Sequence, residues 1–147
     1  MSAVDPLLRV FVGTMDELAP QVGISVLVGG SWLTGTLIPP RMFMQEISQL
    51  IADKTGSDDG LGVFFEFMGS RWFPSESELE ARGEMPAHAP PEPNHLHLRG
   101  GRVFATERPV PSEGIYVRVR LDEVAAWTVG ELGPAGYRSA PLPPPPE

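Results

Sequence analysis

Three histidines are the residues of this sequence best suited to metal or acid–base chemistry. His95 and His97 are separated by one residue, so on a strand both imidazoles would lie on the same face. That spacing can hold a metal ion, and His88, Glu92 or Asp122 could supply a third ligand. A metal site is therefore one interpretation of the histidine pair.

The leucines that alternate with these histidines favour a different interpretation. Leu96 and Leu98 are the natural inward-facing pair of the HLHL stretch, which leaves both histidines facing solvent. We therefore predict no metal site and no cofactor.

The acidic and hydroxyl side chains do not form a recognisable catalytic group. Asp58-Asp59 and Asp122-Glu123 are adjacent pairs in predicted turns, and neighbours on a strand point to opposite faces, so capping is the favoured role. The sequence has no G-x-S-x-G motif, no lysine in its Gly-Gly segment and no cysteine. We predict that the protein is not an enzyme.

Tyr116, Arg118 and Arg120 form an outward stripe on the most regular predicted strand. Tyrosine and arginine stack on bases and bind phosphates in RNA-binding proteins, and they also anchor protein interfaces. The net charge of −8 opposes a nucleic acid partner. The stripe is therefore our candidate protein-binding face.

The charge is unevenly placed along the 147 residues. Residues 45–84 contain nine acidic and three basic residues, a net −6. No apolar run approaches the ~20 residues that cross a bilayer, and the N-terminus lacks the features of a signal peptide. Without cysteine, disulfides are excluded. We expect a soluble cytoplasmic protein.

The first half of the chain predicts a helix and a hairpin. Asp5-Pro6 is a helix start, and an apolar face over residues 6–18 is formed by Leu7, Leu8, Phe11, Met15 and Leu18. Strands at 24–28 and 31–38 flank Gly29-Gly30, which suits a two-residue turn. Gly35 marks a bend, a bulge or a close backbone approach.

The middle of the chain predicts a mainly helical insertion. Residues 41–54 have helical period, whereas 61–73 fit a helix or a buried strand. A proline-rich loop follows over 83–93. Six aromatic residues are expected mostly in the core, unless an exposed patch marks a partner surface: Trp32, Phe64, Phe65, Phe67, Trp72 and Phe73.

The second half returns to strand period. Residues 95–98 and 102–106 are strands, either continuous across Gly100-Gly101 or joined there as a hairpin. In GIYVRVRLDEV, the inward set is Ile115, Val117, Val119 and Leu121. A short strand over 125–132 comes last, and PLPPPPE has no core-forming residue.

This element order predicts an α+β, mostly β fold. An N-terminal helix leads into a strongly bent, small barrel of Sm-like or SH3-like type, with a helical insertion between strands 2 and 3. The predicted domain spans residues 1–132, including the insertion at 41–93. Residues 133–147 are predicted to be a proline-rich, disordered tail.

Four segments together resemble the gas vesicle accessory protein U family: DPLLRVFVG, GISVLVGGSWLTGTLI, HLHLRGGRVF and GIYVRVRLDEVAAWTVGEL. The likeness covers most of residues 5–132. It implies a non-enzymatic protein that assists gas vesicle formation or organisation by binding shell or assembly proteins, with homo-oligomers possible. The alternative is an Sm-like or SH3-like module that binds RNA or a peptide.

Overall fold

The computed structural model describes residues 3–18, 21–55, 60–74, 76–84, 92–104, 109–133 and 136–138. The helices are α1 (Pro6–Leu18), α2 (Pro40–Thr55), α3 (Gly60–Trp72), α4 (Glu76–Ala81) and a 3₁₀ turn (Leu121–Glu123). The strands are β1 (Val22–Val28), β2 (Ser31–Ile38), β3 (His95–Phe104), β4 (Pro109–Arg120), β5 (Val124–Val129), β6 (Glu131–Gly133) and β7 (Gly136–Arg138). This mixture confirms the predicted α+β class.

The chain divides into two compact units. The helical unit is Pro39–Glu92, and the sheet unit combines Met1–Ile38 with Pro93–Glu147. The domain limits that the sequence suggests, 1–132 with a tail over 133–147, stay a prediction. Within that tail the structure places β7, which pairs with β6, whereas residues 139–147 lie outside the described part.

Helix α1 has the predicted bounds because its first turn is capped as the sequence indicates. The backbone N–H of Leu7 donates to Asp5 Oδ1 at 2.9 Å, and Pro6 has no N–H to satisfy. Leu8 is fully buried, whereas Leu7 and Leu18 are 66% and 70% exposed. The predicted apolar face was therefore wrong at those two leucines. None of the described helices combines the length and apolar character needed to cross a membrane.

The five long strands form one antiparallel sheet in the order β4-β3-β2-β1-β5. Strands β1 and β2 meet in the predicted hairpin, where Gly29 and Gly30 have φ angles of 57° and 80°. Strands β4 and β5 occupy opposite edges and are not paired with each other among the described residues. The sheet is therefore open there, and the predicted barrel is present only as a five-stranded antiparallel sheet.

The glycines of three neighbouring strands meet at one point of this sheet. Strand β3 runs continuously through Gly100-Gly101, and its register with β2 shifts between Thr34 and Thr36 because β3 contains one extra residue. A Cβ on Gly35 would lie 3.1 Å from the carbonyl oxygen of Arg99 and 3.3 Å from Gly101 Cα. The close approach predicted at Gly35 is confirmed, with the extra residue on its partner strand.

The core of the sheet unit lies between α1 and one face of the sheet. Phe11 stacks on Trp127 with ring centroids 5.4 Å apart, and Trp127 Nε1 donates to Asp5 Oδ2 at 2.8 Å. The buried cluster consists of Leu8, Val12, Ile24, Val26, Leu33, Leu37, Leu96, Leu98, Val119, Leu121 and Val124. Ile115, predicted to face inward, is instead 54% exposed beyond the glycine bulge.

The opposite face of β1 and β2 carries a buried chain of hydroxyl groups. Ser25 Oγ donates to the carbonyl of Gly130 at 2.8 Å, so its contact with Thr34 Oγ1 at 3.0 Å uses the threonine proton. Thr34 Oγ1 accepts the N–H of Leu132 at 3.0 Å. These bonds hold the start of β6 against this face of β1 and β2. Each of the two hydroxyl groups has a hydrogen-bond partner.

In the helical unit, α2 and α3 pack through small residues. A Cβ on Gly69 would lie 2.9 Å from Met44 Cβ, and Ser48 Oγ donates to the carbonyl of Gly62 at 2.9 Å. Both glycines are buried, which turns the glycine face of α3 toward α2. Residues 61–73 thus take the helical alternative for all but Phe73.

The exposed face of α3 corrects the expectation that most aromatic residues lie in the core. Phe64, Phe67 and Trp72 are 53%, 59% and 56% exposed. Because the glycines occupy the face that packs on α2, the large side chains at the other helical positions point away from it. These exposed side chains form the apolar patch that the sequence leaves open as the alternative to a core position.

Candidate protein-binding face

Tyr116, Arg118 and Arg120 alternate along β4, at one edge of the sheet. Arg118 and Arg120 are exposed and Tyr116 is half-buried. The two arginines lie directly opposite His97 and His95 of β3. The structure therefore places all three predicted residues together, on the sheet face that also carries the two histidines.

Arg118 is fixed by a hydrogen bond to a buried histidine. Its Nε donates to His97 Nε2 at 3.1 Å, and His97 is only 3% exposed. Burial, with a smaller effect from the Arg118 charge, lowers the pKa of His97 to about 3. The imidazole is therefore neutral at physiological pH and acts as an acceptor, which orients the guanidinium.

This burial contradicts the prediction that both histidines face solvent. Alternation in β3 does place Leu96 and Leu98 on the core face, so the predicted sides were right. The other side of the strand is not open to solvent, because His97 is buried there and His95 is half-buried. Burial and the charges of Arg118 and Arg120 lower the pKa of His95 as well.

Arg120 is neutralised in part by the turn that follows β4. Its Nη2 donates to Asp122 Oδ2 at 2.5 Å, and its Nη1 lies 3.9 Å from Glu123 Oε1. Asp122 and Glu123 lie in the 3₁₀ turn, and both thus pair with Arg120. They do not pair with each other as the two acids of a catalytic pair would. The side chain of Arg120 remains 62% exposed and accessible to a partner.

The histidines do not assemble a metal centre in the part of the chain that is described. No three His, Cys, Asp or Glu side chains converge there as ion ligands. His88 and the Asp58-Asp59 pair lie outside the described residues. The predicted absence of a metal therefore stays a prediction.

The described surface includes two depressions lined by charged side chains. One, of about 210 Å³, adjoins Arg120 and His95 and is also lined by Val4, Arg9, Asn94 and Asp122. The other, of about 420 Å³, lies in the helical unit beside Glu78, which accepts from Ser70 Oγ at 2.7 Å and is paired with Arg41. Both are polar and mix charges of both signs.

Asp16 is a half-buried acid on α1 that no pattern in the sequence marks. Its Oδ1 has no hydrogen-bond partner among the described residues, and burial raises its pKa to about 7. The acidic residue lies on a helix whose neighbouring positions contact the core. Its packing, rather than its sequence neighbours, raises its pKa.

Asp16→Asn should stabilise the protein above neutral pH. The pKa rises from 3.8 in the unfolded chain to about 7 in the folded one, so this group lowers stability as pH rises from about 4 to about 7. After a discount for partial exposure we expect a gain of about 1 kcal/mol at about pH 8 and none near pH 4. Thermal melting at both pH values measures this, and equal shifts at both would contradict it.

The profile of one protein family, described as gas vesicle protein GvpU-like, matches residues 5–132. The chain belongs to the gas vesicle protein GvpU-like family. The resemblance drawn from the four sequence segments is thereby confirmed. The match covers the helical unit, most of the sheet unit and the Tyr116, Arg118 and Arg120 stripe. No curated protein and no solved structure matched the chain.

Family membership links the chain to gas vesicles. Its description names an assembly rather than a reaction, and no enzymatic activity is known for the family. The residues that the structure groups on β4 are consistent with this, because they form a charged and aromatic surface.

Proposed function

We propose that this protein is a non-enzymatic accessory protein that assists gas vesicle formation or organisation in the cytoplasm by binding shell or assembly proteins. The family match over residues 5–132 carries the proposal. The exposed Arg118 and Arg120 beside Tyr116 support a protein-binding role, since arginine and tyrosine are enriched at interface centres.

The fold supports a small-barrel scaffold for this role. The order β4-β3-β2-β1-β5 and the glycine bulges are features of a strongly bent sheet, as in Sm-like or SH3-like folds. We propose this architecture with its two edges left open. Such folds also bind RNA, but the net charge of −8 and the pairing of Arg120 with Asp122 disfavour phosphate.

Co-flotation with isolated gas vesicles tests the proposed function. The wild-type protein should rise with the vesicles, and a Tyr116→Ala, Arg118→Gln, Arg120→Gln variant should remain in the lower fraction. Glutamine at 118 keeps an N–H donor for the buried His97, which protects the fold. Lys54→Gln removes an exposed positive charge from α2 and serves as the control.

The outcomes separate three interpretations. Equal flotation of all versions would exclude the β4 face as the binding site. No flotation of the wild type, even with vesicles stripped of loosely attached proteins, would contradict the proposed partner. Retention of the protein on RNA at physiological salt, lost in the triple variant, would favour the nucleic acid alternative.

A further inference from the structure

Helix α3 presents an apolar surface on the side opposite its two buried glycines. This outer face of α3 consists of five large side chains, each more than half exposed: Leu61, Val63, Phe64, Phe67 and Trp72. Spacings of three and four residues place the first four of them along one side of the helix. Monomeric soluble proteins rarely expose contiguous apolar patches larger than a few hundred Å². The outer face of α3 therefore has the character of a docking surface.

The packing of α3 on α2 fixes the orientation of this face. A Cβ on Gly69 would lie 2.9 Å from Met44 Cβ, so α3 cannot rotate to bring its large side chains against α2. The ring of Phe64 also packs edge-on against Phe65, with centroids 5.5 Å apart and an angle of 82° between the planes. The exposed rings are thus held in place before a partner binds, which lowers the entropic cost of docking.

The size of the outer face suits a second copy of the same chain. A fully buried aromatic side chain removes about 150 to 250 Å² from water, so these half-exposed side chains together offer roughly 500 Å² on each copy. Two such faces in contact would bury about 1,000 Å², the lower limit for a specific protein interface. An interface of this size predicts a weak dimer, with a dissociation constant in about the micromolar range.

The charge on α3 favours one arrangement of the two copies. Arg71 is exposed near the end of the helix, and a parallel pairing would bring the two Arg71 side chains together. An antiparallel pairing that places Phe64 opposite the second copy's Phe67 instead separates the two arginines by about 16 Å along the helix axis. Arg71 then lies beside Gly60 of the second copy, where a Cβ would meet no atom within 4 Å. The antiparallel pair therefore has room for the arginine and avoids the repulsion.

We propose that the outer face of α3 joins two copies of this protein as a symmetric, antiparallel helix pair. The net charge of −6 over residues 45–84 disfavours an anionic lipid surface as the occupant. The same charge makes the two copies repel each other weakly, so added salt should strengthen the dimer. This inference does not depend on the gas vesicle role, because its partner is the protein itself.

Sedimentation of the purified full chain over a wide concentration range measures the dimer. The wild-type mass should rise from monomer to dimer, at lower concentration when salt is added. Phe67→Ala should weaken dimerisation at least about tenfold, because each dimer loses two buried rings. Leu7→Ala is the matched control, since it removes a similarly exposed apolar side chain from α1, and it should leave the dimer unchanged. Both variants should melt like the wild type, because alanine suits a helix.

Disulfide cross-linking tests the orientation, because the sequence has no cysteine of its own. A mixture of Gly60→Cys and Arg71→Cys copies should form a disulfide between copies under oxidation. Arg71→Cys alone should not, since its two sulfurs would lie about 16 Å apart. Ready oxidation of Arg71→Cys alone would overturn the antiparallel arrangement.

The remaining outcomes separate this dimer from other uses of the face. A wild type that stays monomeric, or equal weakening by Phe67→Ala and Leu7→Ala, would overturn the proposal. A monomeric wild type whose flotation with gas vesicles is lost in Phe67→Ala alone would assign the face to a vesicle protein, and so would also overturn it. A monomer whose flotation is the same in all versions would overturn this inference while leaving the proposed function intact.

Discussion

Gly114→Ala is expected to lower the free energy of unfolding by about 3 kcal/mol, or to prevent folding. Gly114 has a φ of 76°, a conformation that side chains rarely adopt. A Cβ there would also lie 2.7 Å from both Cα and C of Gly100, which are backbone atoms. The two strands would have to separate at the bulge, so the cost combines strain with lost pairing.

Two other glycines separate these contributions. Gly30→Ala meets the same kind of φ, 80°, with no atom within 4 Å, and should cost about 1 kcal/mol. Gly60→Ala has open space in a helix and should be neutral or slightly stabilising. Chemical denaturation measures all three. If Gly114→Ala costs no more than Gly30→Ala, the close approach of β3 and β4 is wrong.

Gly35→Val tests the close approach of strands at the same place, from the side of β2. A Cβ at 35 would lie 3.1 to 3.3 Å from atoms of β3, and the branched side chain adds two methyl groups beyond it. We expect a loss of about 2 to 3 kcal/mol, measured by the same denaturation series. An unchanged melting temperature would show that β2 and β3 have room to separate there.

The second large effect is an acid sensitivity caused by His97. The unfolded imidazole titrates near 6.5, whereas burial lowers the folded pKa to about 3. The unfolded chain therefore binds the proton more readily, and stability is lost as pH falls from about 6.5 toward 3. At about pH 5 the loss is about 2 kcal/mol relative to neutral pH.

His97→Gln isolates this effect because glutamine does not titrate and its amide oxygen can accept from Arg118 Nε. The variant should lose less stability than the wild type between about pH 7 and about pH 5, measured by melting at each pH. His95→Gln is the matched control on the same strand. Parallel curves for wild type and His97→Gln would show that His97 is not buried as a neutral base.

His97 and Asp16 act in opposite directions over the same pH range. Acid destabilises the fold through His97 and relieves the cost of the half-buried Asp16 carboxylate. The wild-type protein should therefore have a flatter pH profile than either single variant. The double variant, Asp16→Asn with His97→Gln, tests whether the two contributions add, as expected for separate sites.

Local chemistry was sufficient to predict several elements. Asp5-Pro6 determined where α1 begins because a capping carboxylate and a residue without an N–H both suit a first helical turn. Gly29-Gly30 determined the β1–β2 hairpin because both residues need positive φ. These features depend on residues within a few positions of each other. The local sequence is therefore sufficient to predict the helix start and the hairpin turn.

The stripe of Tyr116, Arg118 and Arg120 was predictable for a related reason. Alternation along a strand decides which side chains share a face, and β4 preserves it from 116 to 120. Ile115 departs from the pattern because β4 and β3 change register near Gly101. The alternation of side chains between the two faces of a strand holds only between bulges.

What only the tertiary structure decided was the environment of each face. Alternation showed that His97 lies opposite the leucines, but its 3% exposure depends on residues far away in sequence. Gly100-Gly101 could have been a hairpin, and it is a bulge because Gly35 and Gly114 leave room for the extra residue on both sides. Asp16 is half-buried for the same kind of reason. Burial and the close approach of strands depend on segments that are distant in sequence. No local pattern therefore predicts them.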